Sequence, residues 1–387
     1  MLRHLFKLIW NKKGAHSLLI IEIWASFMVL FGVLSLIAYN LNNYLEPIGF
    51  EYKDVWVLDL STNQDTVNLP EKSQRIMQRI ISYPEVLSAT RTSGNTPFSA
   101  NQMSNSSSYN KVSVSHDFYV TDEDFSKTLD LPLRKGRWYE ESDISAKFIP
   151  IVINKKMEDK LFANENPLGK LIKENDTLSY KIVGVVDKYK AKGEFMADNP
   201  ALFKMIKKED WDRNVLIKVK PGTDANFEAR LVKDIAAMTD QWGIEVSYLT
   251  ESRKNRQNLT VIPVVIFLVI CGFLLTNVAL GLFGILNLNI AKRKNEIGLR
   301  RAMGATEGNV TKQFLGEIWV LATFSLIIGL VFAIQFPLMH VFDLNSEIYI
   351  TAILVSIAVI YIIVTLCAWL PSRQASLIHP ALALHED

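Results

Sequence analysis

Residues able to do chemistry are sparse in this chain, and none is grouped as an enzyme would need. Six histidines are scattered, and His116 stands alone in the long hydrophilic stretch, where a lone histidine is expected at the surface. No His-Glu-x-x-His, no Gly-x-Ser-x-Gly and no clustered His/Cys set occurs, so the sequence offers no residues for metal-assisted or serine-nucleophile hydrolysis. Gly169-Lys170 resembles the end of a phosphate-binding loop, but Asn164 and Leu171 replace its first glycine and its hydroxyl, so a turn is expected. Glu140, Glu141 and Asp143 read as a solvated acidic patch at a loop or helix start. The chain is expected to be non-catalytic and to bind no cofactor or metal itself.

The most pointed chemistry is basic. Lys292, Arg293, Lys294, Arg300 and Arg301 crowd the stretch 291–306, which joins two long apolar runs. Two functions suit such a connector. Lys292, Arg293 and Lys294 alone would grip anionic head groups; a short helix over 294–303 would dock into a groove on a partner. Gly298 and Gly304 are not needed for anchoring and favour close backbone contact with a partner. Gly304-Ala305 ends the helix, and Thr306 followed by Glu307 suits the cap and first turn of the next.

The elements that must position this connector are membrane spans. Of the 387 residues, 49% are hydrophobic and 21% charged, and the mean hydropathy is +0.14. That mixture implies a few spans plus one sizeable water-exposed domain. Residues 17–40, 259–290, 314–336 and 348–370 read as four spans, each long enough for a bilayer core of about 30 Å. Residues 1–16 read as an amphipathic surface helix, 41–258 as the outer domain with stalk segments at both ends, and 291–313 as the cytoplasmic coupling loop. Residues 337–347, without Lys or Arg, form a short external loop, and 371–387 a cytoplasmic tail. The positive-inside rule places both termini and the connector in the cytoplasm and the large domain outside. Glu22, the one acid in the first span, is expected near the interface or at a helix contact. Cys271 and Cys367 both fall in apolar segments, so no disulfide supports the outer domain. The basic residues lie beside the spans, which excludes a nucleic-acid patch.

Within 41–258, strands are expected over 52–60, 86–90, 149–154, 181–186, 214–220 and 243–248, and helices over 70–81, 155–162 and 224–238. The simplest organisation is two β-α-β units bracketing an inserted subdomain. Residues 91–115 are Ser/Asn-rich, and Ser104–Tyr109 reads as an exposed turn or mobile loop.

Glu296 to Thr306, Glu-Ile-Gly-Leu-Arg-Arg-Ala-Met-Gly-Ala-Thr, closely resembles the signature loop of MacB/FtsX-type ABC permeases. Asp124-Phe125 to Leu131, Gly136-Arg137, Asn154 to Phe162, Asn166 to Lys170 and Val183 to Val186 resemble that family's extracytoplasmic domain. Pro371-Ser372-Arg373, Ala375, Pro380 and Ala381-Leu382 resemble its tail. The resemblance implies an α+β membrane protein: four transmembrane helices with a MacB-like α/β domain of porter-type units between the first and second. It further implies an inner-membrane permease that pairs with a second permease subunit, identical or not, and with a separate ABC ATPase that holds ATP and magnesium. Asn295, Glu296, Ile297, Gly298, Leu299, Arg300, Arg301 and Gly304 would couple to that ATPase. Because the sequence begins directly at the membrane, the split type without a fused ATPase is expected. The work implied is mechanotransmission for export of an amphiphilic cargo, with membrane lipid, a periplasmic adaptor and an outer-membrane channel as further partners. Lipoprotein release, or switching of a cell-wall hydrolase or a sensor, are the alternatives within the resemblance.

Overall fold

The computed structural model describes residues 13–377 except 164, 175–177, 208–209, 211, 240 and 340–345. Residues 1–12 of the expected surface helix, Asn164, much of the 337–347 connector, and Pro380, Ala381 and Leu382 lie outside the described residues. The chain divides into two compact units, Asn43–Thr260 and the segments flanking it.

The flanking unit begins with helix α1 (Lys13–Tyr44). The Asn43–Thr260 unit then runs β1 (Val55–Ser61), α2 (Leu69–Ile81), β2 (Val86–Thr92), β3 (Ser104–Tyr109), β4 (Val112–Thr121) and α3 (Phe125–Thr128). It continues with β5 (Leu133–Gly136), a 3-10 turn (Glu141–Ser145), β6 (Ile149–Asn154), α4 (Lys155–Phe162), β7 (Leu171–Lys173) and β8 (Ser179–Val186). It closes with β9 (Ala201–Met205), β10 (Asn214–Val219), α5 (Ala225–Ala236) and β11 (Gly243–Tyr248). After it come α6 (Leu249–Lys292), α7 (Lys294–Ala302), α8 (Glu307–Ala333), α9 (Gln335–Leu338) and α10 (Ser346–Ser376).

The two expected β-α-β units do not stand side by side. They interleave in the strand order β11-β1-β10-β2, all antiparallel, which is the split β-α-β arrangement. Helices α2 and α5 cover one face through Ile76, Ile80, Phe227, Leu231 and Ile235, packed on Trp56, Leu58, Val215 and Ile217. The opposite face of β1 and β10 supplies Val55, Val57 and Leu216 to a second core. Burial on both sides explains why β1 is apolar at almost every position instead of alternating.

Among the described residues, β2 and β4 share one register pair, Thr92 opposite Thr121, flanked by the Ser93 N–H donating to Val120 O at 2.9 Å. The strand pairings of the insert close on themselves: β4-β3-β7-β8-β6-β9, with β9 returning to β4 in parallel. Ser104–Tyr109 is therefore a strand, contrary to the loop expected from its serines. It pairs residue by residue with β4 across a two-residue turn at Asn110-Lys111. Both turn residues have positive φ, 45° and 72°, the geometry that matches strand twist in tight hairpins.

Among the described residues, four helical segments are long and apolar enough to cross a membrane: Ser17–Tyr44, Leu249–Lys292, Glu307–Leu338 and Ser346–Ser376. Phe27 and Phe31 of α1, Leu282 and Leu286 of α6, Phe314 and Leu321 of α8, and Ile360 and Val364 of α10 share one core. A Cβ on Gly329 would stand 2.4 Å from the Phe27 ring, so the glycine permits the close approach of α8 to α1. Glu22 lies at a helix contact, since a Cβ on Gly281 of α6 would come within 2.9 Å of its carboxylate.

Candidate coupling surface on the basic connector

Helix α6 ends at Arg293, whose backbone leaves the helical region (φ −108°, ψ 15°). Helix α7 restarts at Lys294 and ends at a turn that needs glycine. Gly304 has φ +97°, its N–H donates to Arg301 O at 3.1 Å, and the Ala305 N–H donates to Arg300 O at 3.0 Å. This paired closure by a left-handed residue after the helix satisfies the last carbonyls. Thr306 caps α8, its hydroxyl accepting from the Asn309 N–H at 3.3 Å.

The candidate residues divide by direction. Ile297 and Gly298 are buried, Ile297 within the helix core, so Gly298 meets its own chain and does not face outward as expected. Asn295, Glu296, Leu299, Arg300 and Gly304 are exposed, while Arg301 is half-buried. Leu299 is 52% exposed and Met303 72%, which leaves an apolar pair four residues apart with little cover from this unit.

The arginines are tied down rather than free. The Arg293 guanidinium donates to both carboxylate oxygens of Glu317 at 2.9 and 3.0 Å. Gln313 donates to Glu317 at 3.3 Å and accepts from Arg300 at 2.6 Å. Arg300 also donates to Glu296 at 2.6 Å, and Arg301 donates to the Ala305 carbonyl at 3.1 Å and reaches Glu307 at 3.3 Å. The effect is to bolt α7 to the first turns of α8, so a push on one is carried to the other. Sequence reading missed Gln313 and Glu317; their i, i+4 spacing at the polar start of an apolar helix was the available signal. Glu317→Ala is expected to destabilise the helical unit by about 1–3 kcal/mol, because Arg293 loses its two short hydrogen bonds and keeps the more distant Glu296, at 3.8 Å. The thermal unfolding midpoint in detergent reads this, and Glu317→Gln, which keeps an acceptor, should lose less.

The Asn43–Thr260 unit offers fixed charges. His116 is buried, not at the surface: it sits 3% exposed with Nε2 2.9 Å from the Ser107 hydroxyl, and burial pushes its pKa down. Asp143 is not simply solvated, for Arg137 donates to both its oxygens at 2.6 and 2.7 Å and holds its carboxyl below the ordinary range. Gly169-Lys170 forms the expected turn, with Gly169 at φ +79° and its N–H donating to Ile182 O at 2.8 Å.

Asp122 lies at the seam between the split sheet and the insert. It accepts from the Thr90 hydroxyl and from the Arg91 N–H at 2.7 Å, yet burial raises its pKa to about 7. A carboxyl whose folded pKa exceeds its unfolded value near 3.8 binds protons in the folded state that the unfolded chain has released. Its contribution is therefore fully present below the unfolded value and is lost as pH rises toward about 7. Denaturant melts of the purified chain should show Asp122→Asn flattening this decline between acid and neutral pH.

Two family models match the chain. The FtsX-like permease C-terminal model covers residues 263–380, and the MacB-like periplasmic core domain model covers residues 23–233, more than half the chain. The macrolide export ATP-binding/permease protein MacB of Neisseria meningitidis serogroup A is 25% identical over 291 residues, 72% of this chain and 45% of that protein. The MacB of Bartonella henselae is 25% identical over 350 residues, 85% of this chain and 52% of that protein. The chain thus spans about half the length of these relatives. Among solved structures, the periplasmic region of MacB from Actinobacillus actinomycetemcomitans aligns at 16% identity with a TM-score of 0.41, covering 56% of this chain and 98% of that one. With the signature loop, both family models and four membrane-length helices in agreement, the chain belongs to the MacB/FtsX-type family of ABC permeases.

Proposed function

We propose that this chain is the permease of an inner-membrane ABC transporter that works by mechanotransmission. The observation that carries the reading is α7: an exposed Leu299/Met303 pair on a helix bolted to α8 through Arg293, Glu317, Gln313 and Arg300. An ABC ATPase docks on that surface, and ATP and magnesium are bound by that ATPase. Closure of the ATPases in a dimer of permeases shifts a two-state equilibrium of the helices. Helices α1 and α6 then carry the shift to the β-rich domain between them, outside the membrane. The charge pattern supports this orientation, with basic residues at the N-terminus, in the connector and at Arg373. The cargo is an amphiphile, and the outward direction is supported by the relatives' names, which read macrolide export.

Purification from native membranes after mild cross-linking tests the reading. An ABC ATPase should accompany the chain, with an adaptor and an outer-membrane channel in an export assembly. Recovery with no ATPase would sink the proposal.

A further inference from the structure

The segment from Lys188 to Met196 joins β8 to β9 and touches both helix ends that enter the Asn43–Thr260 unit. Lys190 is 2% exposed, and its ammonium donates to Asn43 O at 2.6 Å and to Glu194 O at 2.8 Å. Asn43 belongs to the last turn of α1. Its side-chain amide donates to Phe195 O at 3.1 Å, and Tyr44 stacks on Phe195 with ring centres 5.3 Å apart.

The same segment grips the beginning of α6. Glu194 accepts from Arg253 and, at 3.2 Å, from the Gln257 amide. Arg256 Nε donates to Lys192 O at 3.3 Å. Gly193, at φ +97°, turns the segment so that it lies against the Arg256 stem, 3.7 Å from where a Cβ would stand. A cation thus meets the carbonyl end of one helix, the favoured charge for that end, and a carboxylate holds the Arg253 and Gln257 side chains in the early turns of the other.

The cost of this arrangement argues for a role. A buried ammonium is expensive unless its donors are satisfied, and an apolar plug would hold a static junction as well. What Lys190 and Glu194 add is direction: both helix ends are tied to one short loop, and that loop is anchored at each side by strands of the closed β4-β3-β7-β8-β6-β9 circuit.

Resting on the mechanotransmission reading, we propose that Lys188 to Met196 is the clasp that passes movement of α1 and α6 to the insert, with Lys190 and Glu194 as its positioning residues. Spin-label distances in the full chain with its ATPase, in nanodiscs and with Cys271 and Cys367 replaced by serine, test it. The pair Leu45→Cys/Lys254→Cys reports the helix ends; the pair Lys254→Cys/Ser113→Cys reports the insert; all three sites are exposed. Trapping ATP should shift both distances in the otherwise native protein. In Glu194→Gln or Lys190→Met the first shift should persist and the second be lost, and the charge swap Glu194→Arg/Arg253→Glu should restore it. Glu194→Gln keeps its acceptor and carries the test if Lys190→Met fails to fold. A second shift that survives in Glu194→Gln, or that is missing from the native protein while the first is present, overturns the clasp alone. Absence of both shifts in the native protein overturns the mechanotransmission reading and the clasp with it.

Discussion

Leu299→Asp/Met303→Asp is expected to abolish capture of an ABC ATPase while leaving membrane insertion unchanged. Both side chains are exposed, so neither substitution opens a cavity in this chain. Buried apolar anchors at an interface are worth about 1.5–3 kcal/mol each, and an aspartate in their place adds the cost of a desolvated charge. Together the losses correspond to at least about a hundredfold in affinity. Co-purification with the wild-type chain as reference reads the effect directly. The same logic excludes Gly298 as a clean probe: it is buried, so a bulky acid there would damage the permease itself before reporting on any partner. Arg300 is the better polar probe, being exposed, although its replacement also releases Glu296 and Gln313.

Gly136→Ala should be among the most damaging single methyls in the Asn43–Thr260 unit. Its φ is +70°, and a Cβ would stand 2.2 Å from Val183 O and 2.8 Å from a Leu168 methyl. The left-handed backbone costs about 1 kcal/mol without glycine, and overpacking against a fixed carbonyl adds about 1–3 kcal/mol. Gly169 supplies the control, for it has φ +79° but nothing within 4 Å of its missing Cβ. Gly169→Ala should therefore lose only about 1 kcal/mol, the backbone part. Equal losses at the two sites in denaturant melts would show that the close approach at β5 and β8 is not what fixes Gly136.

How much of this was legible depended on whether the cause was local. The bounds 149–154, 155–162 and 243–248 stand in the structure as expected, because apolar runs and caps declare themselves over a few residues. Asn154 is such a cap, accepting from the Met157 N–H at 3.0 Å. Ser104–Tyr109 was not legible: its serines lack apolar alternation, and its strand state comes from pairing with β4. Interleaving of the two β-α-β units was equally hidden, since β10 enters between β1 and β2 from far along the chain. His116 looked like a surface residue because its partner Ser107 is brought opposite by that same unrecognised hairpin. In the connector, residue types and turn chemistry pointed to the right stretch. Which side of α7 faces out followed from packing, and the bolt to Gln313 and Glu317 crosses between two helices, beyond what a linear pattern displays.

A photoreactive phenylalanine at Leu299 in native membranes reports whether the exposed side of α7 receives an ABC ATPase. Illumination should join this chain to a protein carrying an intact phosphate-binding loop, while the same probe at the exposed Ser113 of the β-rich unit should not. Cross-links from Leu299 to lipid alone, or to the ATPase equally from Ser113, would mean that α7 is not the docking surface.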